Sequence, residues 1–310
     1  MRKLASVLVF LAAFPLLAQL RLTEIGLQPN SPECSLGLKY DSGVFVGVAN
    51  SSNPNWIAAT RFDLPAGTTG LRQACVRIVR ATSAPATVPF DLVIFDDNGT
   101  NGRPGTVVKS ISASTTFAAG VTSQFASVDL SSVVLPDLGV FIGVRMDGSL
   151  VGLAYDNQAS TPITTMYFSD TNGFSWIPIT TVKAFAIRVD PIPECVSTPT
   201  AMCLNNRFKV EATWTTGTAS GAATGVRLTS ETGYLWFFNA TNVEAVVKVL
   251  NACGVNSAYW VFAGGLTDVN TVLRITDVRT GVVKTYTNPQ GTPFQPIQDV
   301  NAFSGPGVCP

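Results

Sequence analysis

The sequence predicts an all-β chain of two β-sandwich domains behind a signal peptide, on three observations. Period-2 apolar alternation recurs along the chain, and Gly, Pro, Asn and Asp bound each run. No sustained 3.6-residue periodicity follows the N-terminal leader, so helix is expected only there. Short strands separated by turn signals at roughly ten-residue intervals indicate a sandwich or jelly roll.

The leader reads Met1-Arg2-Lys3, an apolar run from Leu4 to Leu17, then Ala18-Gln19. A basic start, a short apolar run and a small residue at its end are the parts of a secretory signal. The run is about fourteen residues long, short of the roughly twenty that a bilayer span needs. Residues 1–18 are therefore expected to be cleaved, giving a secreted or cell-surface chain with no membrane span.

In the first unit, residues 34–190, strands are expected near Val44–Val48, Trp56–Phe62, Gln73–Arg80, Pro89–Phe95, Thr106–Ile111, Gln124–Leu130, Gly139–Arg145, Leu150–Tyr155, Thr164–Phe168 and Val182–Val189. Residues 191–202 lie in a Pro-rich, non-periodic stretch that reads as a linker. In the second unit, residues 203–305, strands are expected near Phe208–Trp214, Gly225–Thr229, Tyr234–Phe238, Val243–Leu250, Ala258–Ala263, Val272–Thr276 and Val282–Thr287. Between the last two, Asp277-Val-Arg-Thr-Gly281 is a hairpin turn with Gly281 available for positive φ.

Two resemblances carry the domain reading further. Phe90-Asp-Leu-Val-Ile-Phe-Asp-Asp-Asn-Gly99, Gly102-Arg-Pro-Gly105 and Phe174-Ser-Trp176 resemble a jelly-roll domain frequent in exported bacterial proteins. That resemblance implies an accessory, adhesive or carbohydrate-binding module. Cys203-Leu-Asn-Asn-Arg-Phe208, Trp260-Val-Phe-Ala-Gly-Gly-Leu-Thr-Asp-Val269, Thr285-Tyr-Thr-Asn-Pro289 and Gly291-Thr-Pro-Phe-Gln-Pro-Ile297 resemble a C-terminal module recurring in secreted proteins of environmental bacteria. It is expected to be a smaller sandwich, immunoglobulin-like or jelly-roll-like, and implies no activity.

Charge and composition exclude several functions. Signal removal leaves 18 basic against 20 acidic residues, scattered without a block. Nucleic-acid binding needs a positive surface, which this chain lacks. No histidine occurs anywhere, which removes Ser-His-Asp and Cys-His mechanisms and histidine-ligated zinc. Paired carboxylates, as in glycosidases, are the catalytic chemistry left. A small carboxylate-dependent glycosidase is thus the least favoured reading, behind a non-catalytic adhesive or structural protein and a carbohydrate-binding protein.

Six cysteines, Cys34, Cys75, Cys195, Cys203, Cys253 and Cys309, survive cleavage, and no pair has CxxC spacing. An even count in an exported chain argues for disulfides. The expected pairs are Cys34 with Cys75, Cys203 with Cys253, and Cys195 with Cys309.

Three candidate sites remain. Trp56 and Trp176 stand at loop-to-strand junctions, where they could line a sugar site, although sandwich tryptophans are commonly core residues. Asp96, Asp97, Asn98 and Asn101 form the densest oxygen cluster. Ca²⁺ is the ion such a loop would take, and a hairpin closed by Asx turns is the competing reading. Tyr234, Trp236 and Phe238 alternate onto one face, and Trp260 and Phe262 lie in a second aromatic strand. This face is expected to pack on the first unit or else to meet another chain, self-assembly included.

Overall fold

The computed structural model describes residues 20–24, 37–158, 166–305 and 307–309. The expected signal peptide and Cys34 lie outside the described residues.

The first half contains β1 (Arg21–Glu24), β2 (Leu38–Lys39), β3 (Gly47–Asn50), β4 (Trp56–Asp63), β5 (Thr68–Arg80), β6 (Thr87–Asp96) and β7 (Val107–Thr116). It continues with β8 (Ser123–Asp129), β9 (Gly139–Met146), β10 (Val151–Asp156), β11 (Met166–Ser169), β12 (Ile177–Pro178), β13 (Ala184–Phe185) and β14 (Ile187–Pro193). The second half contains β15 (Met202–Leu204), β16 (Phe208–Thr215), β17 (Ser220–Ala222), β18 (Thr224–Arg227) and β19 (Thr232–Trp236). It ends with β20 (Ala245–Ala252), β21 (Ala258–Gly265), β22 (Asn270–Asp277), β23 (Val283–Asn288) and β24 (Ile297–Ser304). The expected all-β sandwich fold is what the structure shows, with one helical turn at Cys253–Asn256 (α1) and a 3₁₀ turn at Thr100–Gly102 that the alternation pattern does not announce.

Two sheets form the first sandwich. One runs β1-β3-β10-β5-β14-β2, with β8 pairing on β5 and β13 on β10; the other runs β12-β11-β4-β9-β6-β7. Alternation fills the space between them. Trp56, Ala58 and Phe62 of β4 and Phe90, Leu92 and Ile94 of β6 face Val76 and Ile78 of β5, Leu153 of β10 and Ile187 of β14. The second sandwich sets β15-β16-β22-β23, with β17 on β16, against β18-β19-β20-β21-β24. Phe208, Val210 and Ile275 from one sheet meet Leu235, Val247, Val249 and Val261 from the other.

The Pro-rich segment is more ordered than its composition suggests. Strand β14 runs to Pro193 and stays paired with β5, from Ile187 opposite Val76 to Pro193 opposite Thr68, with irregularities on either side of the Pro191–Ile192 pair. Among the described residues β14 meets β2 on its other side only at Arg188 and Val189, so Pro191 and Pro193, which lack an N–H, lie beyond that pairing.

The disulfides correct two expected pairs. Cys195 bonds Cys203, and Cys253 bonds Cys309. Neither Cys203–Cys253 nor Cys195–Cys309 forms, because the Thr198–Ala201 bridge folds the connecting segment back so that Cys195 meets the start of β15. Cys75 is also disulfide-bonded; its expected partner, Cys34, lies outside the described residues. Disulfides of this kind belong to an oxidising setting outside the cytoplasm. Among the described residues no helix is long and apolar enough to cross a membrane.

The sandwiches meet through the β22–β23 turn. Arg72 of β5 donates from Nε to the Arg279 carbonyl (3.0 Å) and from Nη2 to the Val278 carbonyl (3.0 Å), while its Nη1 pairs with Asp190 (2.6 Å). Arg279 donates to the Ser131 carbonyl in return (2.9 Å). Asp277 holds the turn from within. Its buried carboxylate accepts from Arg207 Nε and Nη2 (2.7 and 2.6 Å), Thr280 Oγ1 (2.7 Å) and the Arg279 N–H (3.0 Å).

Candidate functional site

The expected tryptophan platform in the first sandwich does not exist. Trp56 is 0% exposed, because alternation along β4 turns it inward with Ala58 and Phe62. Its indole N–H donates to the Gly148 carbonyl (3.1 Å). Trp176 is 7% exposed and packs edge-on against Phe95, with ring centroids 5.2 Å apart. It caps a small apolar cluster on the outer face of the second sheet, with Ile57, Val93, Phe141 and Tyr167. The loop that carries it folds back through Ser169 Oγ, which accepts the Gly173 N–H (2.9 Å), and Thr171 Oγ1, which accepts the Ser175 N–H (2.8 Å). Both tryptophans are packing residues with no ring face left for a ligand.

The acidic loop after β6 is built as a closed hairpin. Asn98 donates to Asp96 (2.8 Å) and accepts the Thr106 N–H (2.9 Å). Asn101 takes the left-handed turn conformation at φ 58°. Asn98 is thus engaged in closing the turn, and Asn101 occupies a turn position. A residue remote in sequence joins the two aspartates: carboxylate oxygens of Asp96, Asp97 and Asp137 lie within 4.8 Å of one another. Arg61 enters the cluster by pairing with Asp97 (2.6 Å), and it also pairs with Asp63. Gly139 permits this crowding, since a Cβ there would stand 2.3 Å from Asp97 Oδ2. The Asp97 charge is therefore answered by a guanidinium already in place.

The aromatic strands of the second sandwich behave differently. Strand registers place Val226 opposite Tyr234, Tyr234 opposite Val246, and Val246 opposite Gly264. The next outward row runs Thr232, Lys248, Phe262 and Gln298; the rows on either side contribute Trp236 beside Thr224, and Trp260 beside Leu250. Tyr234, Trp236, Trp260 and Phe262 thus share the outward face of one sheet, none belonging to the core beneath it. Trp260 and Phe262 lie edge to face at 6.2 Å, and the Trp260 indole is held by Asn256 Oδ1 (2.9 Å). Gly264 has open space above it, so the aromatic rows flank a shallow depression.

Two expectations about this face change. Phe238 does not join it: β19 ends at Trp236, and Phe238, 52% exposed, packs instead against Trp214 at 4.7 Å at the end of the sandwich. The face also does not pack on the first sandwich, since the joint is made by the β22–β23 turn on the opposite sheet. Among the described residues no hydrogen bond or ion pair joins it to the first sandwich.

Chemically, the face offers ring surfaces interleaved with donors and acceptors. Lys248 supplies a charged group between the aromatic rows, and Thr232, Gln298 and Thr224 supply neutral hydrogen-bonding groups. Lys248 and Gln298 carry no signal in the sequence, because neither polar residue stands in a motif; only the strand register brings them between the aromatics.

No protein-family model matches this chain, and no curated protein is similar to it. Among solved structures, the Hadza microbial sialidase Hz136 aligns over 77% of this chain and 55% of that one, at 9% identity and a TM-score of 0.20. The chain spans about half the length of that structure, and a likeness so slight carries no argument about activity.

Proposed function

We propose that this is a non-catalytic adhesive protein working outside the cytoplasm, which attaches to glycan surfaces through the outward aromatic face of β18–β21 and β24. The observation that carries the reading is the outward set of half-buried aromatic residues Tyr234, Trp236, Trp260 and Phe262, with Lys248 and Gln298 among them. Saturated faces of sugar rings stack on aromatic rings, while their hydroxyls satisfy interleaved polar groups. A partly exposed aromatic face of this kind supports a recognition role. The missing histidine supports the non-catalytic part of the reading.

A self-assembling protein using the same face is the competing reading, and Lys248 weighs against it. A two-fold contact places the same patch on both subunits. Two copies of Lys248 would then be brought together and desolvated across the two-fold contact.

Retention of the full chain on immobilised polysaccharides, compared with Trp260→Ala and Trp236→Ala, tests the proposal. Burying a large ring is worth about 2 kcal/mol, so each variant should weaken binding by about 30-fold. Their melting temperatures should fall only modestly, because the half-buried rings lie outside the core. Absence of glycan binding, or binding indifferent to both changes, would refute the assignment. Concentration-dependent sedimentation abolished by Trp260→Ala would move the face to the self-assembly reading.

A further inference from the structure

A second recess lies at the far end of the first sandwich, and it arises from a mismatch in strand length. Strand β6 pairs with β7 from Thr87 opposite Thr116 to Phe95 opposite Val107, but its pairing with β9 stops at Asp91 opposite Arg145. The β9 chain leaves there into the Asp147–Leu150 turn, so among the described residues no strand lies along that side of β6 from Thr87 to Phe90. The gap opens into a cavity of about 400 Å³ between β6, the turn and the loop before β6. That volume is within the range of small-ligand sites.

Its lining is apolar at Pro85, Phe90 and Leu150, and polar and mixed in sense at Asn55, Asp91, Arg145 and Asp147. Arg145 donates from Nε and Nη2 to Asp91 Oδ2 (3.0 and 2.6 Å) and from Nη1 to Asn172 (3.0 Å), so this pair is close to neutral. Asp147 accepts the Asn55 N–H through Oδ1 (2.5 Å), and no ion pair to Asp147 occurs among the described residues.

We propose that this recess is a binding site for a single neutral sugar unit, independent of the aromatic face. A hydroxyl both donates and accepts, which suits a lining that mixes carboxylate with guanidinium and amide. The pyranose ring's C–H face suits the apolar part of the lining. The unanswered Asp147 charge disfavours uronates and other anions. The Arg145 guanidinium in the same lining disfavours simple organic cations. Leu150, 51% exposed, forms the lip through which the ring would enter.

Ligand-observed NMR and calorimetry on the full chain test the site, using methyl glycosides of neutral hexoses alongside a uronic acid and choline. A neutral glycoside should bind. Leu150→Trp, which fills the mouth from an exposed position, and Asp147→Ala should each weaken that binding at least tenfold. Trp260→Ala should leave it unchanged, which separates this site from the aromatic face. The proposal fails if no neutral glycoside binds, or if the uronic acid or choline binds more tightly. It fails equally if Leu150→Trp, with an unchanged melting temperature, binds as the parent does.

Discussion

Replacing Asp277 with Asn removes one charge and leaves the shape of the β22–β23 turn almost untouched, so its effect isolates the electrostatics of the joint. The carboxylate is 0% exposed and accepts four hydrogen bonds, two of them from the Arg207 guanidinium. Arg207 is itself buried, its guanidinium stacked on Phe208 and Tyr259, and its Nη1 donates to the Val308 carbonyl (2.6 Å). An amide in place of the carboxylate turns N–H groups toward a cation that cannot leave. Stranding one member of a buried ion pair costs about 3–5 kcal/mol. With a urea dependence of about 2 kcal/mol per molar, the transition of the second sandwich should move down by about 2 M. Urea unfolding of the full chain followed by tryptophan fluorescence reads this, since Trp214, Trp236 and Trp260 all belong to that half. The double variant Arg207→Met with Asp277→Leu should recover most of the loss. It should stay about 1–2 kcal/mol below the parent for the turn hydrogen bonds no longer made. A cost under about 1 kcal/mol for Asp277→Asn, or a double variant as unstable as the sum of the single ones, would refute this account.

Three further outcomes are expected. Non-reducing peptide mapping should recover Cys195 joined to Cys203 and Cys253 joined to Cys309. Removing the second pair should cost more, about 4 kcal/mol against about 2.5 on the chain-entropy relation, because its sequence separation is 56 rather than 8. At acid pH, a hydrogen bond from Ser112 and the Arg145 guanidinium hold the Asp91 carboxyl below the ordinary carboxylate range. A depressed value gives stability that is full above the unfolded pKa and lost as pH falls through the folded one. Thermal melts between about pH 4 and pH 2 should therefore fall more steeply for the parent than for Asp91→Asn. For the acidic loop, Arg61 already answers Asp97, so adding Ca²⁺ and then EDTA should leave the melting temperature within about a degree. A larger reversible rise would show the three carboxylates outcompeting the guanidinium.

Period-2 alternation made most strands readable from the sequence, and it failed where the pattern was weak. Strand β24 carries Gln298, Asp299, Val300 and Asn301 in succession, a polar run that looks like tail. Its place is fixed by pairing with β21 instead. Trp56 was ambiguous for the opposite reason, since Ile57 and Ala59 make the outer face of β4 as apolar as its inner face. Disulfide partners depended on the chain reversal at Thr198–Ala201, and Asp137 joined Asp96 and Asp97 from about forty residues away; neither leaves a local trace. The aromatic face was half legible. Spacing put Tyr234 and Trp236 on one side of a strand, but only cross-strand register could add Trp260, Phe262 and Lys248 and leave Phe238 out.

The two disulfides of the C-terminal half have a mechanical consequence. Tension applied between Cys195 and Cys309 passes through the sulfur bridges and bypasses the chain between Cys195 and Cys203 and between Cys253 and Cys309. Only the stretch from Cys203 to Cys253, which contains β16 through β20, can lengthen, by at most roughly 170 Å at full extension. The hairpin of β22 and β23, with the turn that clasps the first sandwich, lies inside the shielded loop. That turn spans the two ends of the extensible stretch, so under load its hold on the neighbouring sandwich must give way before a fixed, limited length of slack is released.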